Sequence, residues 1–270
     1  GLTRSAVSQS LSGLERSLDA RLFNRVGKKL MLTLPGRRLF DTFRDYQRAL
    51  QSAVDTLRPE GRPIAGTVRL GLFIGFSKAK LTDLLSAFLR ENPGVQVKLL
   101  FVSQPELSSL LVEGKIDFAL SIYPLKQESR QIASTRLFEE ELVLVSGKKW
   151  FIPRPALNDV RALPIIDYYQ NGQLVRSWIR HHFGRDAGTL NIRAYGAAID
   201  FVLELILKQV GVGIVPKYVA EPYIEKRRLF QIRTGRTELA DSIWLNEIRD
   251  FHHEPAARLL LTRLRAELSA

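Results

Sequence analysis

The 270-residue sequence predicts an α/β protein in which two sets of alternating strands and helices follow one long amphipathic helix. Three observations predict this fold class. Strand-like and helix-like apolar patterns alternate from residue 67 onwards, which is typical of parallel strands covered by helices. A last strand pattern at residues 242–248 comes late enough in the chain to return to the first set. Between residues 39 and 57, apolar side chains recur at heptad spacing, which predicts a helix with its own packing seam.

The first element is a short helix that Thr3 can cap, since its hydroxyl can accept a hydrogen bond from an unpaired backbone N–H. Its apolar stripe is narrow and needs a surface to pack against, and it comprises Val7, Leu11, Leu14 and Leu18. The opposite face carries short polar side chains and one arginine: Arg4, Ser5, Ser8, Gln9 and Ser12. Side chains of this kind can reach base edges and phosphates without filling a DNA groove.

A basic turn follows between two short apolar runs. Arg25, Lys28 and Lys29 would place cations where a phosphate backbone could lie. A polar helix face is usually just solvated, so the helix alone would be weak evidence of DNA binding. The two segments in this order are a more specific signal.

Together these segments resemble the LysR-type bacterial transcription regulators, through the runs SAVSQSLSGLE, LFNR and LTLPG. The resemblance implies that residues 1–34 belong to a winged helix-turn-helix. The polar helix face would then meet bases or phosphates, and Arg25, Lys28 and Lys29 would contact the backbone from the wing. The family's first helix and most of its second have no counterpart before residue 3. We therefore expect the DNA-binding domain of the sequence as given to be incomplete.

Charge and composition agree with a nucleic-acid partner. The net charge is +12, and residues 1–65 hold 12 Lys and Arg against 6 Asp and Glu, so the N-terminal end is the more basic per residue. With no cysteine, the chain has no disulfide framework and no thiolate metal site. No apolar run approaches the length of a membrane span, and no signal segment opens the chain. We expect a cytoplasmic protein without a membrane partner.

Motifs for catalysis are missing from the sequence. The histidines form the pairs His181-His182 and His252-His253, and neighbours on a helix point about 100° apart, which does not make a metal face. The sequence has no HExxH, no GKS/T phosphate loop and no GxSxG elbow. We therefore expect neither an enzyme nor a bound cofactor or metal.

Residues 35–61 are predicted to form the long helix and a hinge. Thr33 can cap this helix, and Pro35 suits its first turn. The seam comprises Leu39, Phe43, Tyr46, Leu50, Ala53 and Leu57. Such a helix either pairs with a copy of itself or lies on its own domain. The family resemblance favours pairing, because the equivalent helix of LysR-type proteins is the dimerisation linker.

The remaining elements fall into two sets. The first has strands at residues 67–73, 95–101 and 116–121, with helices at 81–89 and 106–113. The second has strands at residues 164–167, 190–194 and 213–215, with helices at 174–183 and 199–210. The strand at 242–248 and a helix at 256–268 complete the pattern. We predict two lobes, 66–147 with 241–270 and 148–240, joined by crossovers near residues 145–155 and 235–240.

The runs ENPGVQVKLLF, LSSLLVEGKIDFALS and VLELILKQVGVGIVP resemble the effector domain of the same family. The resemblance implies a periplasmic-binding-protein-like fold, with a small-molecule effector between two lobes. Ligands of such sheets bind at strand carboxyl ends and helix N-termini. The candidates there are Ser77, Ser103, Gln104, Ser121, Asp167, Tyr168, Tyr195 and Ala197. Ser77 could equally be a helix cap, the tyrosines could be core residues, and Asp167 would disfavour a carboxylate effector unless it is paired.

The sequence therefore predicts a LysR-type transcription regulator with double-stranded DNA and a small effector as partners. By resemblance it would form a homodimer or a homotetramer. The alternative is a solute-binding protein of a transport system, which would share the two-lobed fold but has no use for a basic winged helix.

Overall fold

The computed structural model describes residues 3–26, 29–56, 63–73, 76, 78–125, 131–196, 198–249, 251 and 253–268. The chain divides into two compact units. The smaller unit runs to residue 62 and includes residues 252–254, and the larger unit comprises residues 63–251 and 255–270. Within the described residues, no helix is both long enough and apolar enough to cross a membrane.

The smaller unit contains two helices and a hairpin: α1 (Arg4–Ser17), β1 (Phe23–Val26), β2 (Lys29–Leu32) and α2 (Leu34–Thr56). The Thr3 hydroxyl accepts a hydrogen bond from the Ala6 amide, which confirms the predicted cap of α1. The Glu15 carboxylate accepts from the backbone amides of Leu22 and Phe23, so α1 is tied directly to the start of the hairpin. The predicted short helix, the hairpin strands and the long helix are thus confirmed, whereas the hinge predicted up to residue 61 lies outside the described residues.

The start of α2 is held by Thr33 and requires glycine at residue 36. The Thr33 hydroxyl accepts from the Gly36 amide and donates to the Arg21 carbonyl, so it is both a helix cap and a tie to the preceding segment. A Cβ at Gly36 would lie 2.0 Å from the Leu22 carbonyl oxygen, a backbone atom that cannot rotate away. The hairpin and α2 therefore meet more closely than any side chain at residue 36 would allow.

The strands of the larger unit are β3 (Ala65–Phe73), β4 (Gly94–Val102), β5 (Phe118–Ser121), β6 (Ile132–Ser146), β7 (Pro164–Asp167), β8 (Asn191–Tyr195), β9 (Val212–Pro216), β10 (Phe230–Gln231) and β11 (Leu239–Ile248). Its helices are α3 (Lys78–Glu91), α4 (Gln104–Val112), α5 (Leu157–Ala162), α6 (Gln173–Phe183), α7 (Ile199–Leu207), α8 (Lys217–Glu225) and α9 (Pro255–Leu268). The described strands form one sheet in the order β4-β3-β5-β11-β6-β9-β7-β8, with β10 pairing β6.

The sheet is mixed, whereas the alternation of strands and helices predicted parallel strands. The predicted parallel pairs are present, since β3 lies parallel to β4 and β5, and β7 lies parallel to β8 and β9. Between these two groups, β11 and β6 run antiparallel to their neighbours. The sequence did not predict β6, and α5, α8 and β10 were not predicted either. Three consecutive glutamates, Glu139 to Glu141, interrupt the apolar pattern of β6, which is why it does not read as a strand.

The core of the larger unit is divided between two lobes. The core of the first lobe includes Val68, Phe118 and Leu260, and that of the second includes Trp178 and Val212. Two further clusters complete them, one around Leu107 and Ile116 and one around Val202 and Ile206.

The change from one lobe to the other takes place inside two long strands. In β6, Phe138 packs into the first lobe and Leu142 into the second. In β11, Leu239 packs against the second lobe and Ile243 lies in the first. The crossover predicted near residues 235–240 reaches the place in β11, between Leu239 and Ile243, where the chain passes from one lobe to the other. The one predicted near 145–155 lies beyond the corresponding place in β6, because β6 continues unbroken to Ser146.

Candidate functional site

The polar face of α1 is accessible along its length. Ser5, Ser8, Gln9 and Ser12 are all exposed. Arg4 lies in the first turn of α1, and its side chain is outside the described part of the structure, as are those of Arg25 and Lys29 in the hairpin. Lys28 lies outside the described residues altogether. Of the predicted DNA contacts that the structure describes, the backbone places Arg25 and Lys29 on the hairpin and the others on α1.

Exposure alone does not identify the polar face of α1 as the DNA-binding face, because much of the apolar stripe of this helix is exposed too. Val7, Leu14 and Leu18 are each between 43% and 51% exposed. The stripe that the sequence predicts to need a packing surface therefore lacks full cover within this unit.

The predicted seam of α2 is also exposed. Phe43, Tyr46 and Leu50 keep 56%, 62% and 53% of their surface accessible, and Leu39 keeps 37%. Leu57 lies outside the described residues. A row of large exposed apolar side chains along one helix is typical of an interaction surface.

The larger unit contains a cavity of about 650 Å³ between its two lobes, the size of sites that hold small organic molecules. Its wall is formed at the carboxyl ends of β3, β5, β7 and β9, at the start of α4, α6 and α7, by the middle of β6 and by the start of β11. The lining residues are Phe73, Ser103, Gln104, Pro105, Ile122, Tyr123, Glu140, Leu142, Tyr168, Tyr169, Gln173, Leu174, Ser177, Ile199, Pro216, Leu239, Ala240 and Asp241. The cavity thus lies where the strand-end rule expects a ligand.

Three of the residues predicted from the sequence line this cavity: Ser103, Gln104 and Tyr168. The Ser103 hydroxyl donates to the Glu106 carboxylate at 2.6 Å, which lowers the pKa of that carboxyl. Both polar atoms of the Gln104 amide and the Tyr168 hydroxyl are buried without a hydrogen-bond partner among the described residues. Burial, and then the neighbouring Glu140, raise the pKa of Tyr168 well above its ordinary value, so its hydroxyl stays protonated as a donor.

Ser121 and Asp167 do not line the cavity, because their side chains are engaged with neighbouring segments. The Ser121 hydroxyl donates to the Tyr123 carbonyl and accepts from the Asn246 amide, both at 2.7 Å. The Asp167 carboxylate accepts from the backbone amides of Tyr169 and Val175 and so holds the entry to α6. Burial raises the pKa of Asp167, and these amide donors oppose that rise.

The remaining predicted positions are elsewhere. Tyr195 is more than half exposed and is not among the lining residues. Ser77 and Ala197 lie outside the described residues. Their assignment to an effector site stays a prediction.

The sequence analysis missed the two carboxylates of the wall, Glu140 and Asp241. They lie directly opposite one another in the antiparallel pair of β6 and β11. The Tyr218 hydroxyl donates to Glu140 at 3.1 Å, and the Ser242 amide donates to Asp241 at 2.9 Å. Burial raises the pKa of Asp241. The alternation of Glu140 with Leu142 was the available signal, and recognising β6 as a strand would have put both residues on one face.

Comparison with known proteins covers both units. Residues 61–269 match the family model described as "LysR substrate binding domain", and residues 1–37 match "Bacterial regulatory helix-turn-helix protein, lysR family". The HTH-type transcriptional regulator PtxR of Pseudomonas aeruginosa is 26% identical over 240 residues, which cover 87% of this chain and 75% of that protein.

Solved structures share the fold over almost the whole chain. The crystal structure of ArgP from Mycobacterium tuberculosis matches with a TM-score of 0.75 at 16% identity, over 99% of this chain and 89% of that one. Full-length CbnR in complex with its target DNA matches with a TM-score of 0.60 at 20% identity, over 99% of this chain and 91% of that one. At these identities the likeness concerns the fold alone.

Proposed function

Because the chain belongs to the LysR family of DNA-binding transcription regulators, we propose that its smaller unit binds promoter DNA and that the cavity of its larger unit binds a small-molecule effector. The observation that carries this proposal is the cavity of about 650 Å³ between two lobes, in the same chain as a helix-turn-helix sequence. A regulator needs both parts, one for DNA and one for the signal.

For DNA binding, α1 is the element that enters the major groove. Ser5, Ser8, Gln9 and Ser12 are exposed on it and carry donors and acceptors of the size that reads base edges. Arg4 at the start of α1, and Arg25, Lys28 and Lys29 at the hairpin, contact phosphates. CbnR, which shares the fold, has been crystallised with its target DNA.

For assembly, α2 pairs with α2 of a second copy. Its exposed seam of Leu39, Phe43, Tyr46 and Leu50, continued by Leu57, is the surface that pairing would cover. The protein is then a homodimer, or a homotetramer if the larger units pair as well. Two copies present two α1 helices, which matches the two half-sites that a dimeric regulator reads.

For effector binding, Ser103, Gln104 and Tyr168 provide polar groups in the cavity wall. The lobes pivot where β6 and β11 pass between them, at residues 139–141 and 240–242. The lobe bounds 66–147 with 241–270 and 148–240 stay a prediction. An effector shifts the regulator only by binding one arrangement of the lobes more tightly than the other, so it must contact both. Gln104 and Tyr168 lie on opposite sides of that division.

The rival function, a solute-binding protein of a transport system, shares the two-lobed fold. The match of residues 1–37 to a helix-turn-helix family favours the regulator, because a transport receptor gains nothing from such a segment. A regulator acts where the DNA is, so we place the protein in the cytoplasm, and we assign it no catalytic role.

The decisive experiment uses the protein as its gene encodes it. Its binding to its own upstream DNA is measured against unrelated DNA of equal length, at several salt concentrations. We expect preferential binding that weakens steeply with salt, since neutralised phosphates release counterions. Equal affinity for the two DNAs at every salt concentration would overturn the regulator assignment.

A further inference from the structure

The cavity wall shows which chemical class of ligand fits it. This inference rests on the proposed function, because it concerns the same cavity. We propose that the ligand is a small organic cation, an amine or guanidinium on an apolar body, whose charged group lies between Glu140 and Asp241.

The register of two strands brings the carboxylates together. Glu140 of β6 and Asp241 of β11 are directly opposite partners, and directly opposite side chains in an antiparallel pair point to the same face. Leu142 and Leu239, two residues along each strand, are the next partners on that face, and all four line the cavity. One wall therefore joins a pair of carboxylates to a pair of leucines.

The described part of the wall contains two carboxylates, and none of its lining residues is lysine, arginine or histidine. Lys217 pairs at 2.6 Å with Glu141, which alternation along β6 directs to the other face of the strand. Like charges directly opposite one another in a sheet are unfavourable, so a cation placed between the two carboxylates relieves their repulsion.

The rest of the wall fits the body of such a ligand. The cavity is lined by the aromatic rings of Phe73, Tyr123, Tyr168 and Tyr169. Such rings pack against apolar groups, and their faces attract a cation. Burial raises the pKa of Asp241, which means that its charged form is poorly solvated, and a bound cation would offset that penalty. The unpaired Gln104 amide offers a hydrogen bond to a further polar group of the ligand.

The helix N-termini at this cavity, with their free N–H groups, would by themselves favour an anion or a polar group. A carboxylate ligand would face Glu140 and Asp241 together, in a cavity whose described wall offers it no cation. The acidic pair therefore argues for the opposite charge.

The test compares ligands that differ only in their head group. Ligand-observed NMR with the whole chain measures the binding of phenethylamine, 2-phenylethanol and 3-phenylpropionate, and of tryptamine, tryptophol and indole-3-propionate. We expect each amine to bind about tenfold more tightly than its alcohol, and the carboxylates to bind most weakly. Glu140→Gln and Asp241→Asn should each weaken amine binding by a similar factor and leave alcohol binding unchanged.

Two controls separate the possible failures. Glu141→Gln removes a neighbouring carboxylate on the other face of β6 and should leave amine binding unchanged. Ser177→Trp fills the cavity from α6 and should abolish binding of every probe, whereas Ser109→Trp, on the exposed side of α4, should not.

The outcomes are distinct. If alcohols or carboxylates bind best and Ser177→Trp abolishes their binding, the cavity is a ligand site but the cation assignment is wrong. If amines bind equally well to the Glu140→Gln and Asp241→Asn variants, or fail to bind at millimolar concentration, the cation assignment is also wrong. If binding survives Ser177→Trp, the proposed effector site itself is wrong.

Discussion

In the larger unit, Leu260 and Leu264 of α9 are fully buried, whereas in the smaller unit Phe43 and Leu50 of α2 are each more than half exposed. Both helices carry an apolar stripe at helical spacing. The stripe of α9 packs into the first lobe, against residues such as Val68 of β3. The difference teaches that a stripe reports the need for a covering surface but does not tell whether the same chain or another copy provides it.

The same contrast holds for the two units as a whole. Of the described buried apolar residues, Leu22 alone belongs to the smaller unit, and the others lie in the larger one. The larger unit therefore stabilises itself through its own cores. The described apolar residues of the smaller unit are mostly left exposed, which supports the proposal that α2 pairs with a second copy.

The largest effect is expected from breaking the seam of α2. Phe43→Asp combined with Leu50→Asp would bury unpaired charges in an apolar interface, at a cost of several kcal/mol. We expect the dimer to dissociate, with a dissociation constant raised at least about a hundredfold. Sedimentation velocity measures this. Arg38→Asp, on the outer side of the same helix, changes the net charge by the same amount and should sediment as the wild type does. An unchanged mass for the double variant would show that α2 is not the interface.

A smaller effect, confined to the larger unit, is expected from Leu264→Ala in α9. Removing a fully buried leucine side chain costs about 2–5 kcal/mol through lost burial and the cavity left behind. Phe43→Ala, by contrast, removes an exposed ring and should leave the stability of the larger unit unchanged. Urea unfolding followed by tryptophan fluorescence reports on this unit, which contains Trp150, Trp178 and Trp244. Equal destabilisation by Leu264→Ala and Phe43→Ala would contradict the claim that only the stripe of α9 stabilises the larger unit.

Sequence reasoning located α9 and α2 correctly because both stripes are long and strictly periodic. It missed β6, because glutamates interrupt the apolar run of this strand. In the fold, Glu140 pairs with β11 and lines the cavity. Sequence reasoning found Ser103, Gln104 and Tyr168 at the cavity because strand ends follow from strand positions. The sequence did not predict that Ser121 and Asp167 would not line the cavity. Their hydrogen bonds to Asn246 and Val175 form only in the folded chain.

Within the smaller unit, two substitutions should separate base contacts from phosphate contacts. Lys29→Ala should weaken binding to all DNA sequences alike and lower the salt slope by about one unit, if Lys29 contacts a phosphate. Gln9→Ala should relax the sequence preference instead, by about 1–3 kcal/mol at one base pair. Anisotropy titrations with operator variants measure both. Uniform weakening by Gln9→Ala, with no altered preference, would rule out base reading by Gln9.

The smallest effect is expected at Asp241, a carboxylate in the cavity wall of the larger unit. Burial raises the pKa of Asp241 in the folded protein, so the folded state holds this proton more tightly than the unfolded state. Asp241 therefore destabilises the folded state as the pH rises above the ordinary pKa of an aspartate. Asp241→Asn should increase stability at neutral pH and match the wild type at pH 3. A variant less stable than the wild type at pH 7 would contradict this sign.

The most direct test of the account asks whether a ligand in the larger unit changes the DNA complex made by the smaller one. Footprinting and DNA-bending assays compare the complex at the upstream DNA with and without an amine that binds the cavity. The account predicts an altered footprint or bend for the wild type and for Ser109→Trp, and no change for Ser177→Trp, although all three bind DNA. A response that persists in Ser177→Trp would contradict control through the cavity.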